Sequence, residues 1–146
     1  MKSLTPSAEL QTLATEALKS LLGQVSAIKL KEMLGASTRS RNSVEFLVHV
    51  EVFGHSHLLA CEARSSAEPS QLRTILRRLC DHTAQLAAEA TPVIIAPFLS
   101  PEAQQLCKKC QTGFLDLEGN ARLAFGEVFI GKRSHPQHQS ILHKCA

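Results

Sequence analysis

Tryptophan and tyrosine are absent from this 146-residue chain, and its aromatic content is six phenylalanines, 4% of the residues. That scarcity argues against an aromatic platform on which successive bases of a single strand would stack. No apolar run approaches the roughly 18–20 residues needed to span a bilayer, so no membrane association is expected. The opening Met1-Lys2-Ser3-Leu4-Thr5-Pro6 lacks both a continuous apolar stretch and a small-residue cleavage site, so no secretory signal is read there. No G-x-G-x-x-G, P-loop, G-x-S-x-G or H-E-x-x-H is present, which sets aside dinucleotide binding, P-loop phosphate binding, serine hydrolysis and zinc-protease chemistry. The five cysteines, Cys61, Cys80, Cys107, Cys110 and Cys145, are odd in number. Without an export signal they read as reduced thiols in a cytoplasm.

What the chain does have is a globular composition, 44% hydrophobic and 20% charged, with a formal net charge of +3. That excess permits a polyanion partner without requiring one. Residues 1–131 read as a single domain and residues 132–146 as a polar, His-rich, flexible tail.

Thr5 and Pro6 make a cap-plus-proline helix start, and Leu10, Leu13, Ala14, Ala17, Leu18, Leu21 and Leu22 follow at helical spacing to a stop at Gly23. Val25, Ala27, Ile28, Leu30 and Leu34 fit either a short strand or a helix, and 37–43 reads as an exposed basic loop. Val44, Phe46, Val48, Val50 and Val52 alternate with polar residues as in a strand. A turn at Gly54-His55-Ser56 returns the chain into a second strand, His57–Arg64, whose apolar run predicts a central place in the sheet. After Pro69-Ser70, Leu72, Ile75, Leu76, Leu79, Cys80, Leu86, Ala87 and Ala90 form a helical stripe, with Arg73, Arg77 and Arg78 off it. Thr91-Pro92 ends that helix and opens a strand, Val93–Ala96. Ser100-Pro101-Glu102 starts a short helix to about Cys110. Phe114–Leu117 and Ala121–Phe125 form a hairpin, with a short strand after it at Val128–Ile130. Strands alternating with helices predict an α/β architecture with a mixed sheet.

Glu62 and Arg64 stand two apart on the second strand and so share a face. Charges on a buried strand are costly unless paired or functional. Two carboxylates and a cation are the parts that hold Mg²⁺ and neutralise charge on a phosphate in transfer. Glu45 and Glu51 on the facing strand are the candidates for the second carboxylate. An odd index sum for opposed residues, 109 or 111 for the expected turn, puts them on the face of Glu62. An even sum puts them on the other face. The plain alternative is a structural Glu–Arg pair.

The order of an acid-bearing strand, a turn, a strand ending in E-x-K, a helix and a strand resembles the core of the PD-(D/E)XK, or restriction-endonuclease-like, nuclease superfamily. Cys61-Glu62-Ala63-Arg64-Ser65-Ser66 looks like its E-x-K strand end, and Glu45-Phe46-Leu47 sits where its first metal-binding acid stands. The stretches 91–103 and 113–122, with Leu115-Asp116-Leu117-Glu118-Gly119-Asn120, resemble an uncharacterised bacterial branch. Its members commonly carry a winged-helix region after this domain, and some are described as regulators or antitoxin-like proteins. The match covers roughly residues 25–131.

The resemblance implies a three-layer core with a mixed central sheet flanked by helices, and a cytoplasmic DNA-acting protein. In the active form Glu45 and Glu62 would hold Mg²⁺ and Arg64 would stabilise the transition state. In the degenerate form the chain is a module for DNA or partner binding in a regulator or antitoxin-like system. Arg64 stands where the family has Lys, and Arg cannot release a proton to activate water. Glu45 stands where Asp is usual, and the chain ends soon after Ile130 with no room for a winged helix. A bare core, a fragment and a degenerate copy all fit that length.

Cys107-Lys108-Lys109-Cys110 is one C-x-x-C where a zinc signature has two, so zinc through it and the tail residues His135, His138, His143 and Cys145 is not expected. The plain reading of Cys107 and Cys110 is one packed and one exposed thiol. His49, His55 and His57 cluster at the first hairpin as solvated side chains. Arg39, Arg41, Arg73, Arg77, Asn120 and Arg122 are the candidate nucleic-acid contacts, with Arg78, Lys108, Lys109, Lys132 and Arg133 as further basic residues. Asp116 and Arg122 are expected to face the cleft of Glu62. A homodimer and a regulatory protein partner remain open.

Overall fold

The computed structural model describes residues 6–40, 43–86, 90–126 and 128–133. The Thr5 cap, Arg41, Ala87 and the His-rich tail from 134 lie outside them. The described elements are α1 (Pro6–Gly23), β1 (Ile28–Ser40), β2 (Ser43–Val52), β3 (His55–Arg64), α2 (Pro69–Leu86), β4 (Ala90–Ala96), α3 (Pro101–Lys109), β5 (Gly113–Asp116), β6 (Ala121–Phe125) and β7 (Val128–Lys132). All seven strands belong to one sheet in the order β1-β2-β3-β4-β5-β6-β7. β1, β2 and β3 pair antiparallel, β3-β4-β5 parallel, and β5, β6 and β7 antiparallel. This is the mixed α/β sheet flanked by helices that the alternation of periods predicts.

Parallel neighbours need a crossover, and α2 and α3 supply the two that link β3 to β4 and β4 to β5. Both lie on one face of the sheet. Leu72, Ile75, Leu76 and Leu79 of α2, with Ala103 and Cys107 of α3, pack on Ile94, Ala96 and Phe114. On the other face Leu10, Ala14, Leu18, Leu21 and Leu22 of α1 pack on Val44, Phe46, Val48, Val50, Leu59, Cys61 and Ala63. The valines of β2 thus feed the α1 side, while Glu45, Leu47, His49 and Glu51 lie on the α2/α3 side and are half-buried. β3 has neighbours on both edges and its residues Leu59–Ala63 are all buried, which is the central position read from its apolar run. Ser100 caps α3, its hydroxyl accepting from Ala103 N at 3.2 Å, as the Ser-Pro-Glu signature predicts.

The structure corrects the sequence reading in three places. The stretch 28–40 is one long edge strand rather than a short element and a basic loop from 37. Register shifts at Leu30/Glu32, Leu34/Ala36 and Thr38/Ser40 break its alternation, so the period-2 signal is lost. α2 does not extend to Thr91, because β4 has already begun at Ala90, and Pro92 lies inside β4 opposite Ala60. The first hairpin turns at Phe53-Gly54, not at Gly54-His55-Ser56, with φ of +51° and +82°. Two successive positive φ values are the mark of a type I′ turn, which matches the twist of the strands it joins. Val52 therefore opposes His55, and the index sum along the pair is 107.

Candidate functional site

The odd sum places Glu45 directly across from Glu62, on the same face. Opposed Cβ atoms in such a pair are roughly 4.5–5.5 Å apart. Glu45, Glu62 and Arg64 are therefore gathered at the C-terminal end of β3, on the side covered by α2. Glu51 shares that face but lies six residues along β2, opposite Ser56, where Lys31 pairs with it at 3.4 Å.

Glu62 is fully buried. Arg64 Nη1 donates to its Oε2 at 2.8 Å, and Arg78 Nη2 donates to Oε1 at 3.0 Å and Oε2 at 2.8 Å. Both carboxylate oxygens are thus engaged by two guanidinium groups, whose formal charge Glu62 and the opposed Glu45 together balance. The buried Nε–H of Arg64 has no hydrogen-bond partner. Arg78 was read from the sequence as lying off the apolar face of α2, and it does. It sits beside Ile75 and Leu79, and the crossover lays α2 over the sheet so that its long side chain reaches Glu62 sixteen residues back. The signal that could have found it is its place next to the buried stripe of the helix that follows an E-x-R strand end.

Magnesium is a hard cation that requires oxygen donors with free lone pairs. At this corner the deepest carboxylate is already doubly held by cations, and the orphan polar atom is an N–H donor, which needs an acceptor rather than a metal. Among the described residues no group of three or more His, Cys, Asp or Glu is arranged to hold an ion. The residues present, as placed, do not fit Mg²⁺.

The other sequence candidates separate. Arg73 and Arg77 lie one turn apart on the exposed side of α2, with Glu68 and Glu102 beside Arg73 in a shallow groove. Arg39 lies in β1 at its last bulge. Asn120 is buried, and its Nδ2 donates to Asp116 Oδ2 at 2.9 Å. Asp116, also buried, further accepts from Leu99 N at 3.0 Å, Glu118 N at 3.0 Å and Asn120 N at 2.9 Å. Asp116 and Asn120 therefore tie the β5–β6 turn to the loop that enters α3, and the amide expected to contact phosphate is engaged within the turn instead. Arg122 shares the face of Glu62, since Glu62, Ile94, Phe114 and Arg122 stand in one register row. Three strand spacings of about 4.8 Å separate them, so Arg122 is about 14 Å away rather than in the same cleft.

The thiols Cys61, Cys80, Cys107 and Cys110 are all free. Cys107 is buried and Cys110 half-buried. Burial, with Cys110 and Cys80 close by, pushes the Cys107 thiol up to about 12. Cys80 Sγ lies 3.3 Å from Thr112 Oγ1 and 3.6 Å from the Cys110 carbonyl. His57 packs edge-on against Phe125 at 5.3 Å, so packing accounts for it. No helix among the described residues is long and apolar enough to cross a membrane.

No protein-family model matches this chain, and no curated protein matches it. Among solved structures it is similar to EndoMS in a complex with dsDNA, at 17% identity and a TM-score of 0.48 over 80% of this chain and 46% of that one. It is also similar to EndoMS in apo form, at 15% identity and a TM-score of 0.43 over 80% of this chain and 48% of that one. This chain thus spans less than half the length of either protein.

Proposed function

We propose that this chain is a DNA-binding module on a PD-(D/E)XK-type core whose E-x-R corner has become an internal ion cluster instead of a metal-dependent cleavage centre. The observation that carries this reading is Glu62, buried and held on both oxygens by Arg64 and Arg78. Arg at the position of the general-base lysine fits the same loss, because a guanidinium keeps its proton. The exposed Arg73 and Arg77 supply backbone contacts of the sequence-independent kind. A role as the DNA- or partner-binding part of a regulator or antitoxin-like system follows from the same reading, with a cytoplasmic location.

The register favours one second reading. Glu45 opposite Glu62 is the arrangement that a Mg²⁺-dependent endonuclease needs, with Arg64 neutralising charge at the phosphate. It requires Arg78 to leave the carboxylate. Plasmid and linear duplex DNA incubated with Mg²⁺, with and without EDTA, separate the two readings. The expected result is salt-sensitive duplex binding, unchanged by EDTA, with no cleavage. EDTA-sensitive cleavage that Glu62→Ala abolishes would establish the second reading in place of the first.

A further inference from the structure

On the face of the sheet that α2 and α3 cover, toward its β7 edge, a groove of about 460 Å³ runs between α3 and the β6–β7 hairpin. Lys108 on α3, Arg122 on β6, and Lys132 and Arg133 at the end of β7 line it, and among the described residues no Asp or Glu does. Four cations in one groove of a chain whose formal net charge is only +3 is a local concentration of positive potential. Lys108 and Arg122 also line an adjoining groove of about 470 Å³, again without a carboxylate among the described residues of its walls.

The groove also holds an aromatic ring. Phe129 is 61% exposed on β7, and the Arg122 guanidinium lies over its face, 5.1 Å from the centroid. An exposed large apolar residue on a small domain is ordinary when it stands alone. Phe129 does not stand alone. Its ring leans along β7 over Gly131, where a Cβ would sit 3.1–3.2 Å from it. A Cβ at 131 would make the ring give by a few tenths of an ångström, so the glycine lets the ring lie close over β7 with Arg122 on its face, in a basic trough.

From this juxtaposition we infer that the groove binds a short single-stranded nucleic-acid segment, with phosphates on Lys108, Lys132 and Arg133 and one base on the Arg122–Phe129 surface. A flat π-face next to cations is the combination that takes a base and its flanking phosphates without regard to sequence. A duplex hides its base faces and cannot use Phe129, so the ring selects single strands. The inference rests on the nucleic-acid reading above. It adds a contact about 14 Å from Glu62 across the sheet, independent of that corner.

Fluorescence anisotropy with a short labelled oligodeoxythymidine, and with a duplex of equal length, tests it on the full chain. Phe129→Leu keeps the apolar surface without the ring, and Phe129→Tyr keeps the ring. Leu is expected to weaken single-strand binding roughly tenfold while Tyr leaves it unchanged, as for one stacked base. Lys132→Ala with Arg133→Ala should reduce the slope of log K against log salt by about 1.4 on single strands. Equal single-strand binding by parent, Phe129→Leu and the double alanine variant, with duplex binding retained, would overturn the groove and leave the DNA reading standing. A parent that binds neither probe at low salt overturns both. Single-strand binding lost with Phe129→Leu, beside no duplex binding, upholds the groove and removes the duplex reading.

Discussion

At the scale of single residues the decisive side chain is Glu62. A fully buried carboxylate is tolerated because two guanidiniums satisfy it, and taking away one member of such a cluster exposes the rest to an apolar interior. Glu62→Ala takes away the carboxylate that Arg64 and Arg78 both grip and leaves Glu45, on the neighbouring strand, as the acid across from that position. Urea denaturation is expected to show a loss of about 3 kcal/mol, the low end of the range for breaking a buried pair, because Arg78 is partly exposed to water. Glu62→Ala combined with Arg64→Met and Arg78→Met removes the stranded charges along with the acid, and should recover a large part of that loss. If Glu62→Ala unfolds at the parent's urea midpoint, the carboxylate is not holding this corner together. Arg64→Lys separates charge from geometry. It keeps the cation and loses the planar fork, so partial destabilisation is expected, smaller than that of Glu62→Ala.

At the scale of elements, most of the fold is legible in the sequence, and each miss has its own physical cause. α1, β2, β3, α3 and the β5–β6 hairpin carry clean periodicities or caps, and each lies where its pattern puts it. The sharing of a face by Glu62 and Arg64 followed from spacing alone. The pairing of Glu45 with Glu62 did not, because it depends on the parity set by a turn. That turn puts a phenylalanine at φ +51°, a conformation that non-glycine residues avoid, so composition gave no hint of it. β1 escaped because three bulges scramble its alternation, and Arg78 because a helical period tells which residues face the core but not how far a long side chain bends back. The turn makes its own prediction. Phe53 is 71% exposed, so its ring gains little from packing and bears the cost of the left-handed backbone. Phe53→Asn or Phe53→Gly should raise stability by about 1 kcal/mol, read as a higher thermal midpoint. A lower midpoint would show that the ring makes a contact worth more than the strain.

At the scale of the whole molecule, the two faces of the sheet are linked by a property the composition makes easy to measure. Cys61 lies in the core under α1, and Cys107 in the core under α2 and α3. Burial raises both thiols above their ordinary value of about 9, Cys107 to about 12. A thiol whose folded pKa exceeds its unfolded one holds more protons in the native state over the interval between them. Its contribution is therefore complete below pH 9 and is lost as pH rises from 9 toward 12. The limiting slope is about 1.4 kcal/mol per pH unit for each thiol. Tyrosine, which would titrate in the same window, is absent from the chain, so that source of ambiguity does not arise. Urea midpoints measured from pH 8 upward should stay level to about 9 and then decline. Cys107→Ala should remove part of the decline and Cys61→Ala with Cys107→Ala most of it, even though each variant starts from a lower midpoint because a packed side chain is shortened. Because one sheet backs both cores, hydrogen-exchange protection on the two faces should be lost together in a single transition. A decline of the same steepness in the double variant would assign the alkaline sensitivity to the lysines instead, and would mean that the two buried thiols do not couple the cores to pH.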